Sequence, residues 1–271
     1  MFSTHAIAAA QTVPVRGDVD ANVERHVRLV RVAAEAGARL LVFPELSLTG
    51  YELDLAPALA FAERDERLAP LVESACAAGM TLVVGAPVRL GPRLHIGAFI
   101  LRPDGTIDLY TKQRLGAFSP DVDPGGIVPP PEASVFEPGD RNPLVRLDGH
   151  TAAVAVCADI GRPAHAEAAA RRGADAYLAS TFLVPADYDG DTAKLADYAS
   201  RHAMAVVLSN FGGPSGGLPS AGRSAIWSPR GELLARLDAS GAGVVAAVGD
   251  ERGWRGRAIM VRDARGRLTP P

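Results

Sequence analysis

The sequence is poor in cysteine and almost without lysine. Two cysteines, Cys76 and Cys157, occur among 271 residues. That number cannot build a disulfide framework, and a reducing cytoplasm is the expected setting. Of 28 basic residues only Lys112 and Lys194 are lysines; the rest are arginines. No apolar run approaches the ~20 residues that a membrane-spanning helix needs. The opening stretch, MFSTHAIAAAQTVPV, has neither the basic start nor the long apolar middle of a signal peptide. A formal net charge of −3 argues against nucleic acid or an anionic membrane as the main partner.

What is present is alternation of strand and helix patterns. HAIAAAQTVPV reads as a strand, and DANVERHVRLVRVAAEAGA as a helix with Val23, Val27, Val30 and Ala34 on one face and a glycine stop. RLLVFPE is a short apolar strand ending at Pro44 and Glu45. A helix (ERLAPLVESACAAG), a buried strand (MTLVVGAPV) and a hairpin around Pro103-Asp104-Gly105 follow. Residues 116–131 form a long aperiodic loop, of the kind that is usually functional or disordered. The second half repeats the plan without repeating the sequence. Strand TAAVAVCAD, helix RPAHAEAAARRGA, strand DAYLAS, helix DTAKLADYASRHAM, strand AVVLSN and a hairpin around Pro229-Arg230-Gly231 succeed one another. The expectation is α+β: one domain over residues 1–250 with two mixed sheets and helices on their outer faces. The Arg-rich stretch 251–271 reads as a tail, solvated or docked at a subunit interface.

Glu45, Lys112 and Cys157 each stand at the carboxyl end of a strand-like run, where a loop begins. Ligands of open α/β sheets bind outside those ends. A carboxylate, an ammonium and a thiol meeting there are chemically complementary: the carboxylate takes the thiol proton, and the cation stabilises first the thiolate and then an oxyanion. In a chain that otherwise writes its positive charge as arginine, Lys112 marks a position that needs a compact ammonium. Lys194 lies in a helix-like stretch and reads as a solvated residue. Cys76, inside a helical apolar pattern, reads as packing. Cys157 alone would read the same way, but it runs into ADIGRP and a helix start, whose dipole favours a thiolate.

The segments FPELSLTGY (43–51), YTKQRL (110–115) and VAVCADIGRP followed by RRGADAYLAS resemble the signature segments of the nitrilase superfamily, the carbon–nitrogen hydrolases. The similarity extends from the N-terminal strand through GRSAIWSPRGELL. It implies a four-layer αββα sandwich that dimerises, with no metal or cofactor. It implies a Glu45–Lys112–Cys157 triad, with Glu132 as an additional glutamate; Glu137, nearer the PGD turn, matches the family spacing less well. The resemblance further implies that Cys157 attacks an amide carbon while Lys112 and the Ala158 N–H hold the oxyanion. Asp159, Arg162 and Thr181 are the accompanying pocket candidates. Many amidases of this family carry Arg four residues and Glu seven residues after the nucleophile, where this chain has Gly161 and Ala164. Ala158-Asp159 replaces the Trp-Glu of true nitrilases, which favours an amide or N-carbamoyl substrate over a nitrile. A small-molecule amide and a second copy of the chain are the expected partners.

Two rivals stand beside that reading. One is a Cys–His hydrolase of glutaminase type, with His165 or His202 as base. The other is a non-catalytic ligand-binding protein on the same fold. The glycine-rich loop NFGGPSGGLPSAG lacks the strand–GxGxxG–helix context of a nucleotide loop.

Overall fold

The computed structural model describes residues 5–122, 128–147 and 149–261. The first half runs β1 (His5–Gln11), α1 (Val19–Glu35), β2 (Leu40–Val42), α2 (Ala56–Leu59), α3 (Ala69–Ala78), β3 (Thr81–Leu90), β4 (Arg93–Leu101) and β5 (Ile107–Thr111). The second runs β6 (Leu144–Leu147), β7 (His150–Val156), α4 (Pro163–Arg171), β8 (Ala176–Ser180), α5 (Pro185–His202), β9 (Ala205–Ser209), β10 (Ala225–Trp227) and β11 (Leu233–Arg236). Then β12 (Gly243–Asp250) and β13 (Gly253–Met260) return to the first sheet. The strand orders are β13-β12-β1-β2-β3-β4-β5 and β11-β10-β9-β8-β7-β6. In each sheet the central strands are parallel (β1-β2-β3 and β7-β8-β9) and the outer pairs antiparallel.

Side-chain alternation explains why the strands read as unbroken apolar runs. Ile7 and Ala9 of β1 face the core between the sheets, while Ala8 and Ala10 pack in the layer with Val23, Leu29 and Val30 of α1 and Leu71 of α3. In β7, Val154 and Val156 face the central core, and Ala153 and Ala155 face Leu195 and Ala199 of α5. Strands buried on both faces lose the polar alternation of a half-exposed sheet. Alanine toward the helices lets a helix sit close, whereas larger side chains fill the space between sheets. Four layers result, αββα, as the resemblance implies.

Helix ends follow local chemistry. Asp18 caps α1, its side chain accepting from the Ala21 N–H at 3.0 Å, and Gly79 closes α3 in the left-handed conformation. Buried serines staple the sheets at the carboxyl ends of the parallel strands. Ser180 Oγ donates to the Phe43 carbonyl at 2.8 Å and Ser209 Oγ to the Ala10 carbonyl at 2.6 Å.

Three strands differ from the sequence reading. Residues 253–260, read as tail, pair with β12 along its full length. They look like a tail because β13 is an edge strand with its middle exposed, so charge and glycine replace the apolar pattern. β12 and the short β6 carry no assignment in the sequence reading, β12 because Gly and Ala dominate it. Residues 262–271, the rest of the expected tail, lie outside the described residues.

Candidate active site

Glu45, Lys112 and Cys157 converge at the carboxyl ends of β2, β5 and β7. Glu45 leaves β2 in a tight loop pressed against β3. A side chain at Gly85 would come within 2.5 Å of both the Leu46 amide nitrogen and the Pro44 carbonyl, so the close approach requires glycine there. Lys112 is anchored through its backbone: its N–H donates to the Ile96 carbonyl at 2.9 Å, and its carbonyl accepts from Gly139 N–H at 2.7 Å. Cys157 opens a 3₁₀ turn with φ of 42°, and Leu46, next to Glu45, has φ of 52°. Left-handed backbone at non-glycine residues costs about 1–3 kcal/mol each and tends to mark functional positions.

The charged groups form a buried cluster. Lys112 Nζ donates to Glu45 Oε1 at 2.6 Å and to Glu132 Oε1 at 2.7 Å, and all three side chains are within 1% of fully buried. Glu132 is held in turn by the Tyr51 hydroxyl at 2.8 Å and the Gly116 N–H at 2.7 Å. Glu45 Oε2 is buried and, among the described residues, has no hydrogen-bond partner. Burial raises the Glu45 pKa to about 7, against the pull of Lys112. Burial alone would lower the pKa of Lys112, but Glu45, Cys157 and Glu132 together push it above the ordinary lysine value. The Cys157 thiol is pushed well up, first by burial and then by Glu45. The resting state is therefore a neutral thiol beside a carboxylate poised near neutrality and a permanent ammonium. That arrangement suits proton transfer in step with nucleophilic attack rather than a preformed thiolate.

Cys157 is half-buried and opens on a pocket of about 160 Å³ lined by Tyr51, Phe118, Ala158, Phe182, Asp187 and Asp191, among others. The rings of Tyr51, Phe118 and Phe182 contact one another edge to face or tilted, with centroids 5.1–5.6 Å apart. Cys157 Sγ lies 3.7 Å from the Phe182 carbonyl. Among the described residues no group of three or more His, Cys, Asp or Glu side chains could hold a metal ion.

A carbon–nitrogen hydrolase family model matches residues 6–252, nearly the whole chain. The chain belongs to this family. Among curated relatives, a hydrolase from the region 5′ of pqqF in Pseudomonas protegens is 30% identical over 86% of this chain and 78% of its own length. The glutamine-dependent NAD(+) synthetase of Thermotoga maritima is 25% identical over 84% of this chain, but this chain spans only 39% of that protein. The amidase of Nesterenkonia sp. AN1, described as a nitrilase-superfamily member, aligns structurally. A double mutant of it in complex with acrylamide has a TM-score of 0.80 and 26% identity, with 93% of this chain and 92% of that one covered. A single mutant of that amidase carries the acetamide moiety of fluoroacetamide on its active-site cysteine (28% identity, TM-score 0.76, 89% of each chain covered).

Within this carbon–nitrogen hydrolase the remaining candidates separate. Glu132 stands in the charged cluster, while Glu137 is an exposed residue that pairs with Arg93 at 3.3 Å. Ala158 lines the pocket. Asp159 does not; it is buried, with its carboxylate bonded to the Arg114 and Val156 amides. Thr181 is also buried away from the pocket, its hydroxyl donating to the Ser209 carbonyl at 2.9 Å. Arg162 is exposed and lines no part of the pocket. Both ring nitrogens of His165 are engaged by tyrosines, and His202 lies in the last turn of α5, so neither serves Cys157 as a base. Cys76 is exposed rather than packed, because the buried stripe of α3 runs through Leu71 and Ala75. Tyr51, Phe118 and Phe182 were not legible as site residues. Tyr51 closes the FPELSLTGY segment, the one signal that could have found it.

Proposed function

We propose that this protein hydrolyses small linear amides through a thioester on Cys157. The observation that carries the reading is the ammonium of Lys112, buried between two carboxylates beside a half-buried thiol on a pocket walled by aromatic rings. In the proposed cycle Cys157 attacks the amide carbon as Glu45 accepts the thiol proton. Lys112 and the Ala158 N–H hold the oxyanion. Glu45 passes the proton to the departing ammonia or amine, leaving the thioester. It then takes a proton from water, which attacks the thioester carbonyl and releases the acid and the thiol. Glu132, fixed by Tyr51 and Gly116, holds Lys112 in place.

The pocket's size and the short amides named with the Nesterenkonia amidase favour a short acyl group. Its charge argues on the same side. Asp187 stands on the lining in no ion pair, beside Asp191, which Lys194 neutralises at 2.8 Å, and among the described residues no Arg or Lys lines the pocket. A substrate carboxylate would meet like charge. That consideration ranks glutamine and N-carbamoyl amino acids below uncharged amides, despite the synthetase relatives. Ammonia release from acetamide, propionamide, butyramide, glutamine and an N-carbamoyl amino acid tests the reading. Release from none of them, with no fluoroacetamide adduct on Cys157 by mass spectrometry, would refute it.

Two further results are expected. With Glu45 as base, kcat/KM falls about tenfold per pH unit below about 7 and is flat above it, with no rise through the ordinary thiol range near ~8.5, because the thiol pKa lies well above its usual value. A rise centred near that ordinary value would assign the control to a conventional thiolate. Phe118→Ala, which opens the aromatic wall, shifts the ratio of butyramide to acetamide kcat/KM upward by about tenfold, the scale of a hydrophobic-pocket contact. An unchanged ratio would show that Phe118 does not bound the acyl group.

A further inference from the structure

Asp159 is a buried acid that the proposed cycle leaves without a task. Its carboxylate takes three hydrogen bonds: from the Arg114 N–H at 2.8 Å on Oδ1, and from the Val156 N–H at 3.1 Å and the Tyr110 hydroxyl at 2.7 Å on Oδ2. These partners bracket the reacting groups. Tyr110 and Arg114 lie two residues before and two after Lys112, and Val156 immediately precedes Cys157. One side chain therefore ties the strand that carries the ammonium, in the first sheet, to the turn that carries the thiol, in the second.

Behind Asp159 the donors fall into a single order. Tyr110 spends its one proton on Asp159, so its oxygen accepts from His165 Nε2–H at 3.1 Å. That tautomer leaves Nδ1 to accept from the Tyr177 hydroxyl at 2.9 Å. Burial holds His165 below the ordinary histidine pKa, in keeping with a neutral ring. The chain Tyr177–His165–Tyr110 thus runs from β8 through α4 to β5 and ends on Asp159.

We propose that Asp159 is a positioning residue that sets the spacing of Lys112 and Cys157, and with it the oxyanion site. The proposal rests on the hydrolase reading above. It separates Asp159 from a residue that only supports the fold, because oxyanion geometry matters to one of the two reactions available to Cys157. Amide hydrolysis builds an oxyanion. Alkylation by iodoacetamide displaces iodide at a saturated carbon and builds none, so it needs the thiol and its base alone.

Asp159→Asn is the sharp variant. Its amide group must place an NH₂ against either the Arg114 N–H or the Val156 N–H, and neither backbone donor can turn round. The expected result is a fall in kcat of about 10²-fold, the scale of a misplaced oxyanion donor, with KM within a few-fold. Turnover is counted per alkylatable Cys157 in a Cys76→Ala background, which removes the exposed second thiol. The iodoacetamide rate constant of Cys157 falls less than tenfold. Tyr110→Phe, which removes one of the three donors and is expected to fold if Asp159→Asn does not, shows the same selective loss at about tenfold. His165→Gln, one bond further out, loses less.

Hydrolysis and alkylation falling in parallel, activity that follows the melting temperature rather than distance from Asp159, or Asp159→Asn and Tyr110→Phe within threefold of wild type would each overturn the proposal. A wild-type protein that hydrolyses no amide would overturn the hydrolase reading instead.

Discussion

Cys157→Ala abolishes hydrolysis of the best amide, a loss on the order of 10³-fold or more, while the far-ultraviolet circular dichroism and the melting temperature stay close to wild type. The two halves of that result have separate causes. Activity goes because no other group described on the pocket lining is a nucleophile of comparable reactivity. Stability stays because Ala and Cys share a Cβ, and so suffer equally at φ of 42°. The change removes a single heavy atom from a residue that is half-buried as a whole, so the cavity it leaves is small. Loss of fluoroacetamide labelling in this variant, against full labelling in Cys76→Ala, assigns the adduct. Cys76 is exposed, so any slow labelling that persists in Cys157→Ala belongs to it and is absent from Cys76→Ala. If Cys157→Ala keeps more than about a tenth of the activity, or loses structure in step with activity, Cys157 is a packing residue and the proposed cycle fails.

How much of this was legible beforehand depends on the kind of signal. The two-sheet plan could be read because strands buried on both faces, such as β1, β2 and β7, give apolar runs bounded by turns. β12 and β13 escaped because their pairing is set by strand neighbours distant in sequence: β12 lies against β1, some 240 positions away, and β13 is an edge that needs no apolar pattern. The charged residues of the site were legible for a different reason. Each ends a strand, and a lysine among arginines is conspicuous. The pocket wall was not legible, since Phe118 sits in a loop without periodicity, and Phe182 looks like any core aromatic after a strand. The family resemblance makes Asp159 a pocket candidate, two positions after the nucleophile. In a 3₁₀ turn that separation carries the side chain away from the pocket, and only the fold reveals that its partners are Arg114 and Tyr110.

Lys112→Arg is expected to fail almost as badly as Lys112→Ala, although it keeps the charge. Lys112 has no exposed surface, and its one nitrogen serves two carboxylates at 2.6 and 2.7 Å. A guanidinium is wider and planar and directs its donors in a fixed fork. It cannot meet both carboxylates and still leave a donor at the oxyanion without moving Glu45 or Glu132. Glu132 cannot follow easily, being held by Tyr51 and the Gly116 amide, and Glu45 is confined by the close packing of its loop on Gly85. Overpacking of a filled site costs about 1–3 kcal/mol, so some fall in melting temperature is expected. Lys112→Ala is the more damaging to the fold, because it strands two buried carboxylates without a cation; breaking a buried pair costs about 3–5 kcal/mol. Turnover per alkylatable Cys157 separates chemistry from folding. On that measure Lys112→Arg falls by about 10²–10³-fold, the cost of losing an oxyanion donor. Lys194→Arg is the control, since Lys194 is exposed and among the described residues pairs with Asp191 alone, at 2.8 Å, and it should be nearly silent. Turnover of Lys112→Arg within tenfold of wild type would mean that charge alone suffices at this position, and would remove Lys112 from the oxyanion site.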